Sequence, residues 1–109
     1  MRSEEAVKDL KLYLEKNYSK PIRISKLCAQ RYLSEQYVCR RFKEITGSSP
    51  KQYLMQLRLN NAARALKETG EPICHIAFSC GFTDINNFCK QFRACFGCTP
   101  SSYREGATE

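Results

Sequence analysis

Phe42-Lys43-Glu44-Ile45-Thr46-Gly47-Ser48-Ser49-Pro50-Lys51-Gln52-Tyr53 is answered fifty positions later by Phe92-Arg93-Ala94-Cys95-Phe96-Gly97-Cys98-Thr99-Pro100-Ser101-Ser102-Tyr103, with Phe, Gly, Pro and Tyr at the same four places. The correspondence runs upstream too. Ile24, Leu27, Cys28, Leu33 and Ser34 line up with Ile73, Ile76, Ala77, Phe82 and Thr83 at an offset of forty-nine, so a one-residue slip falls just before the last helix of each copy. A solenoid needs at least three stacked repeats, so two copies read as a duplicated module joined by a connector.

Glycine follows four helical patterns, at Gly47, Gly70, Gly81 and Gly97, where a left-handed C-cap is expected. Ser34 and Thr83 precede helical runs as N-caps, and Ser49-Pro50-Lys51-Gln52 combines an N-cap, a first-turn proline and a glutamine placed for a capping box. No segment sustains two-residue alternation, which argues against strands. The expected fold is all-α, with helices over 3–17, 24–32, 35–46, 50–68, 73–80 and 84–96 and a closing turn after Pro100. In the first helix Val7, Leu10, Leu14 and Tyr18 form an apolar stripe that covers the first lobe, with Glu4, Glu5 and Asp9 near the positive end of the dipole. Tyr53, Leu54, Leu57, Ala62, Ala63 and Leu66 give the middle helix apolar surface along much of its length. The organisation read from this pattern is a lobe over 1–49, a connecting helix over 50–68 and a second lobe over 69–109.

Each lobe repeats a short helix, a tight turn and a second helix, the helix-turn-helix pattern in which the second helix enters the major groove of DNA. A chain of 109 residues with 18 Lys and Arg against 11 Asp and Glu, net +7, favours a polyanionic partner. No run approaches the roughly 18–20 apolar residues of a membrane span, and the N-terminus lacks the apolar stretch of a secretory signal. The expectation is a soluble cytoplasmic protein. Seven cysteines, an odd number without an export signal, read mainly as small apolar filler. Cys95 and Cys98 are the only close pair, and no second pair or suitably spaced histidine completes a metal site. No metal or cofactor is expected. The only histidine, His75, has no spacing that pairs it with a nucleophile, and no phosphate loop occurs, so an enzyme is not expected. A zinc or thiol-redox protein and a helical protein–protein module are the competing readings.

Charge placement favours DNA over both. Val38, Phe42 and Ile45 put an apolar face on the second helix of lobe one, while Gln36, Arg40 and Lys43 point elsewhere. In lobe two Phe88, Phe92 and Phe96 face inward and Asn86, Lys90 and Arg93 outward. Arg and Lys donate to guanine O6 and N7, and Asn and Gln pair with adenine N6 and N7. A connector of 19 residues, at about 1.5 Å rise, spans roughly 28 Å, against the ~34 Å that separates successive major-groove faces on one side of B-DNA.

The stretch Ile73-Cys74-His75-Ile76-Ala77-Phe78-Ser79-Cys80-Gly81-Phe82-Thr83-Asp84, followed by Phe88, Phe92, Phe96-Gly97-Cys98-Thr99-Pro100 and Tyr103-Arg104, resembles the signature of the AraC/XylS family of bacterial transcription regulators. Tyr53 to Leu66 resembles that family's linking helix, and the match covers about positions 20 to 104. The resemblance implies a seven-helix domain of two homeodomain-like helix-turn-helix lobes that binds double-stranded DNA as a regulator, often an activator touching RNA polymerase. It implies base reading by Gln36, Cys39 and Arg40 in lobe one and by Ile85, Asn86, Cys89 and Lys90 in lobe two. Cys39 and Cys89 are weak hydrogen-bonders, and Ile85 offers only apolar contact, as to a thymine methyl. Ser34, Arg41, Lys43, Lys51, Thr83 and Arg93 are the candidate phosphate contacts. Two departures stand out: Arg23 occupies a place usually held by a small hydroxyl N-cap, and Arg41 replaces a commonly apolar residue. Many relatives carry a sensing or receiver domain ahead of this one, which makes the chain either a stand-alone regulator or an excised C-terminal domain.

Overall fold

Helices begin and end largely where glycine, proline and hydroxyl residues mark them in a computed structural model that describes residues 3–106. They are α1 (Ser3–Asn17), α2 (Ile24–Gln30), α3 (Glu35–Thr46), α4 (Pro50–Glu68), α5 (Ile73–Ser79), α6 (Ile85–Phe96) and α7 (Pro100–Glu105). There is no strand among the described residues. The chain divides into two units between Gln56 and Leu57, so α4 contributes its first turns to one unit and the remainder to the other.

The capping chemistry explains the boundaries. Ser34 Oγ accepts from the Tyr37 amide at the start of α3, and Gly47 ends that helix at φ +90°. Ser49 and Gln52 form the reciprocal capping box at the start of α4, with the Gln52 amide donating to Ser49 Oγ at 3.2 Å and the Ser49 amide to Gln52 Oε1 at 3.1 Å. Thr99 caps α7 in the same way as Ser34 caps α3.

Two caps differ from expectation. Asp84, not Thr83, caps α6, its carboxylate accepting from the Asn86 amide at 2.9 Å, so the helix starts at Ile85. The extra residue of the second copy thus lies in the turn, and Asp84 takes the role of Ser34. Gly70 is absent from the glycines with positive φ, which are Gly47, Gly81, Gly97 and Gly106. The end of α4 is satisfied from elsewhere: Arg104 Nε donates to the Leu66 carbonyl at 3.1 Å and Thr69 Oγ1 to the Ala65 carbonyl at 2.8 Å, so no left-handed glycine is needed.

In unit one, Val7, Leu10 and Leu14 of α1 are buried, together with Leu27 and Cys28 of α2, Val38 and Phe42 of α3, and Leu54 of α4. Helix α1 lies against α3, and α2 packs on α3 as well. Tyr18 falls past the end of α1 and is half-buried. Tyr53 packs edge-on against Phe42, and its hydroxyl donates to Glu15 at 2.5 Å. Burial together with this carboxylate pushes the Tyr53 phenol up to about 12. Ile45, expected inward, is 47% exposed: one turn beyond Phe42 it forms the rim of a cleft it shares with Val7, Lys8 and Lys11.

The α2–α3 turn carries the one backbone outlier among the non-glycine residues described. Helix α2 stops at Gln30, short of the expected 32, because Tyr32 turns left-handed at φ +57° with its ring almost wholly in water. The Leu33 amide then returns to the Cys28 carbonyl at 2.9 Å. Lobe two places Gly81 at the equivalent position, at φ +104°, and α5 likewise ends one residue early at Ser79. A left-handed conformation costs a residue with a Cβ roughly 1–2 kcal/mol. Tyr32→Gly is therefore expected to raise stability by about 1 kcal/mol, since no packing is lost; a lower urea midpoint for this variant would refute the strain.

Unit two is built on aromatic rings. Phe82 meets Phe88 at 4.9 Å between centroids, Phe88 meets Phe92 at 5.7 Å, and Phe92 meets Phe96 at 4.5 Å and Tyr103 at 5.3 Å. Phe88 and Phe92 are fully buried, whereas Phe96 is half-buried against Tyr103. Leu59, Ala62, Ala63 and Leu66 of α4, with Ile76 and Ala77 of α5, complete this core.

Candidate nucleic-acid interface

Burial of one face fixes what the other face shows. With Val38 and Phe42 locked inside unit one, Gln36, Arg40 and Lys43 are all exposed along the opposite side of α3. With Phe88 and Phe92 locked inside unit two, Asn86, Lys90 and Arg93 are exposed along α6. The two helices are each 12 residues long and in register at an offset of fifty. Within each lobe the outward residues are therefore brought together as a row of donors without an acidic side chain in it.

The expected readers on the flank of each row are less open. Cys39, Ile85 and Cys89 are half-buried. Burial pushes the Cys39 thiol up, and Glu35 adds to it, so this group stays a neutral, weak hydrogen-bonder. Arg40 extends over the ring of Tyr37, 5.6 Å from its centroid, a cation–π contact that favours this placement of the guanidinium. Tyr37 does not figure among the sequence candidates; its three-residue spacing from Arg40 is the signal that points to it.

Ser34 serves as the cap of α3 and is exposed, as are Lys43 and Lys51. Thr83 is exposed too, one residue before the Asp84 cap. Arg41 is engaged inside unit one: it contacts Glu44 at 3.2 Å and Glu4 at 3.6 Å. The cysteines are all free thiols, with Cys28 and Cys80 buried and their pKa values pushed up by that burial. No cluster of three or more metal-ligating side chains occurs among the described residues. His75 is exposed and 3.3 Å from Glu71.

A family model described as a helix-turn-helix domain matches residues 27–106. A probable AraC family transcriptional regulator from Rhodopseudomonas palustris superimposes with a TM-score of 0.82 at 31% identity, over 94% of this chain and 97% of that one. The chain belongs to the AraC/XylS family. It is 38% identical to the HTH-type transcriptional activator RhaS of Pectobacterium atrosepticum over 103 residues, 94% of this chain and 37% of RhaS. It thus spans little more than a third of that curated relative. The DNA-binding domain of AdpA, a global transcriptional factor solved in complex with a target DNA, has a TM-score of 0.86 at 27% identity, covering 92% of this chain and 90% of that one. The seven-helix, two-lobe expectation for this AraC/XylS chain agrees with these structures.

Proposed function

We propose that this chain is the sequence-specific DNA-binding part of a bacterial transcription regulator of the AraC/XylS type, with α3 and α6 as its reading helices. The observation that carries the reading is the pair of matched donor rows, Gln36, Arg40 and Lys43 and then Asn86, Lys90 and Arg93, each exposed opposite a buried phenylalanine core. Two helix-turn-helix lobes carried on one chain suit two successive major-groove segments. Gln36, Arg40, Asn86 and Lys90 read bases by hydrogen bonds, while Cys39, Ile85 and Cys89 offer softer contacts at the edge of each row. Ser34, Lys43, Lys51, Thr83 and Arg93 approach phosphates, and Arg41 joins them once it exchanges Glu4 and Glu44 for phosphate.

The similarity to the transcriptional activator RhaS supports a role in activation, and the chain's 37% share of RhaS, together with its likeness to the C-terminal domain of the response regulator AraT, supports a further sensing or receiver domain in a longer parent chain. RNA polymerase is the protein partner such a role would call for. No described helix is long and apolar enough to cross a membrane, which fits a cytoplasmic regulator. Selection of duplexes from a random pool is the direct test. Two half-sites about one helical turn apart, bound with affinity that falls steeply as salt rises, are expected. Enrichment of no motif, or affinity indifferent to salt, would favour the protein–protein module instead.

A further inference from the structure

Each reading helix begins beside an acidic side chain, and the two lobes use it differently. In lobe two the acid is Asp84, and capping takes it up: its carboxylate accepts from the Asn86 amide at 2.9 Å. In lobe one the cap is Ser34, whose Oγ accepts from the Tyr37 amide, so the acid that follows, Glu35, has no capping duty. Glu35 is exposed, and no hydrogen bond or ion pair among the described residues takes up its carboxylate. A bare acceptor thus stands in the first turn of a helix whose exposed row, Gln36, Arg40 and Lys43, offers donors.

Register places this acceptor among the readers. At the offset of fifty that aligns α3 with α6, Glu35 falls on Ile85, just as Gln36, Cys39 and Arg40 fall on Asn86, Cys89 and Lys90. Glu35 precedes Cys39 by one turn and lies about 40° from it around the helix. Its charge is close enough to help push the Cys39 thiol up. Residues at the N-terminal end of a recognition helix are the ones that reach base edges.

Chemistry then selects the base. A carboxylate only accepts, and close to a duplex it is repelled by phosphate unless a base donor meets it. In the major groove guanine shows two acceptors, thymine an acceptor and a methyl group, and adenine an N7 acceptor beside its N6 donor; cytosine shows the N4 amino group. We infer that Glu35 is a specificity-determining residue of lobe one, its carboxylate accepting from the N4 amino group of a cytosine, while lobe two presents Ile85 to a thymine methyl at the same register. The inference rests on the DNA-reading proposal above. It makes the two half-sites unlike, which gives the chain a preferred direction along its duplex. The dipole of α3 also favours an acid in its first turn, but that effect carries no base preference.

The whole chain, Glu35→Ala, Glu35→Gln and Ile85→Glu are each put through selection from a random duplex pool, and affinities are then measured on the wild-type site with every base pair varied in turn. Arg40→Ala marks the half-site of lobe one. Glu35→Ala is expected to lose a roughly tenfold preference for cytosine at one base pair of that half-site and to keep the preferences elsewhere. Glu35→Gln, with an amide in place of the carboxylate, should turn the preference there towards adenine, and Ile85→Glu should place a new cytosine in the half-site of lobe two. Helical circular dichroism at wild-type strength confirms that each variant is folded. If Glu35→Ala shifts affinity for every duplex alike and changes no base preference, the inference is overturned: Glu35 then serves the helix dipole alone, and Arg40 still reads. A wild type that enriches no motif would sink the DNA-reading proposal itself.

Discussion

Phe92→Ala is expected to remove about 3–5 kcal/mol of stability, the usual cost of emptying a fully buried aromatic site. Phe92 has no exposed surface and touches Phe88, Phe96 and Tyr103, so truncation strips three rings of a neighbour at once. A unit of about fifty residues has only roughly 3–8 kcal/mol to lose at ordinary per-residue stability. The substitution therefore takes unit two close to its folding limit. Phe96→Ala, one turn on and half-buried, should cost clearly less. Urea titration followed by near-ultraviolet circular dichroism, which reports tyrosine packing in a chain without tryptophan, separates the outcomes. Matching midpoints for Phe92→Ala and wild type would mean that the aromatic ladder does not hold α6 in place.

That ladder was visible in the sequence, because Phe88, Phe92 and Phe96 recur at helical spacing opposite polar residues. The same logic failed at Ile45. Its spacing from Val38 and Phe42 places it on the apolar face, but periodicity does not reveal that the packing partner runs out one turn earlier. Local chemistry located the Ser34 cap and the Ser49–Gln52 box, whose partners are three residues apart. It misplaced the α6 cap, since Thr83 and Asp84 both cap well and the choice depends on where the slipped residue sits in the turn. Contacts across long sequence separations were illegible. Arg104 closing α4 and Arg41 meeting Glu4 depend on how helices come together, and no spacing rule marks them. Nor does anything about tyrosine announce a left-handed residue; Tyr32 is legible only against Gly81 in the second copy. For the site, the register of the two donor rows was readable at once, whereas the contact of Arg40 with the Tyr37 ring and the half-burial of Cys39 and Cys89 required coordinates.

Arg40→Ala is expected to cost about 1–3 kcal/mol in binding, roughly 5- to 150-fold, and to relax preference at a single base pair. The size follows from the bidentate fit of a guanidinium to guanine O6 and N7. Lys43→Ala, one turn away on the same exposed row, is expected to behave differently: a point charge near phosphate weakens every sequence alike and flattens the salt slope by about 0.9. The contrast separates reading from attraction on one helix. If both variants lowered affinity uniformly across duplexes, α3 would be only an electrostatic face and sequence preference would have to originate in α6. Lys90→Ala then decides, because Lys90 occupies the register of Arg40 in the second copy. Retained preference at every base pair in Arg40→Ala and Lys90→Ala together would leave neither helix as the reader.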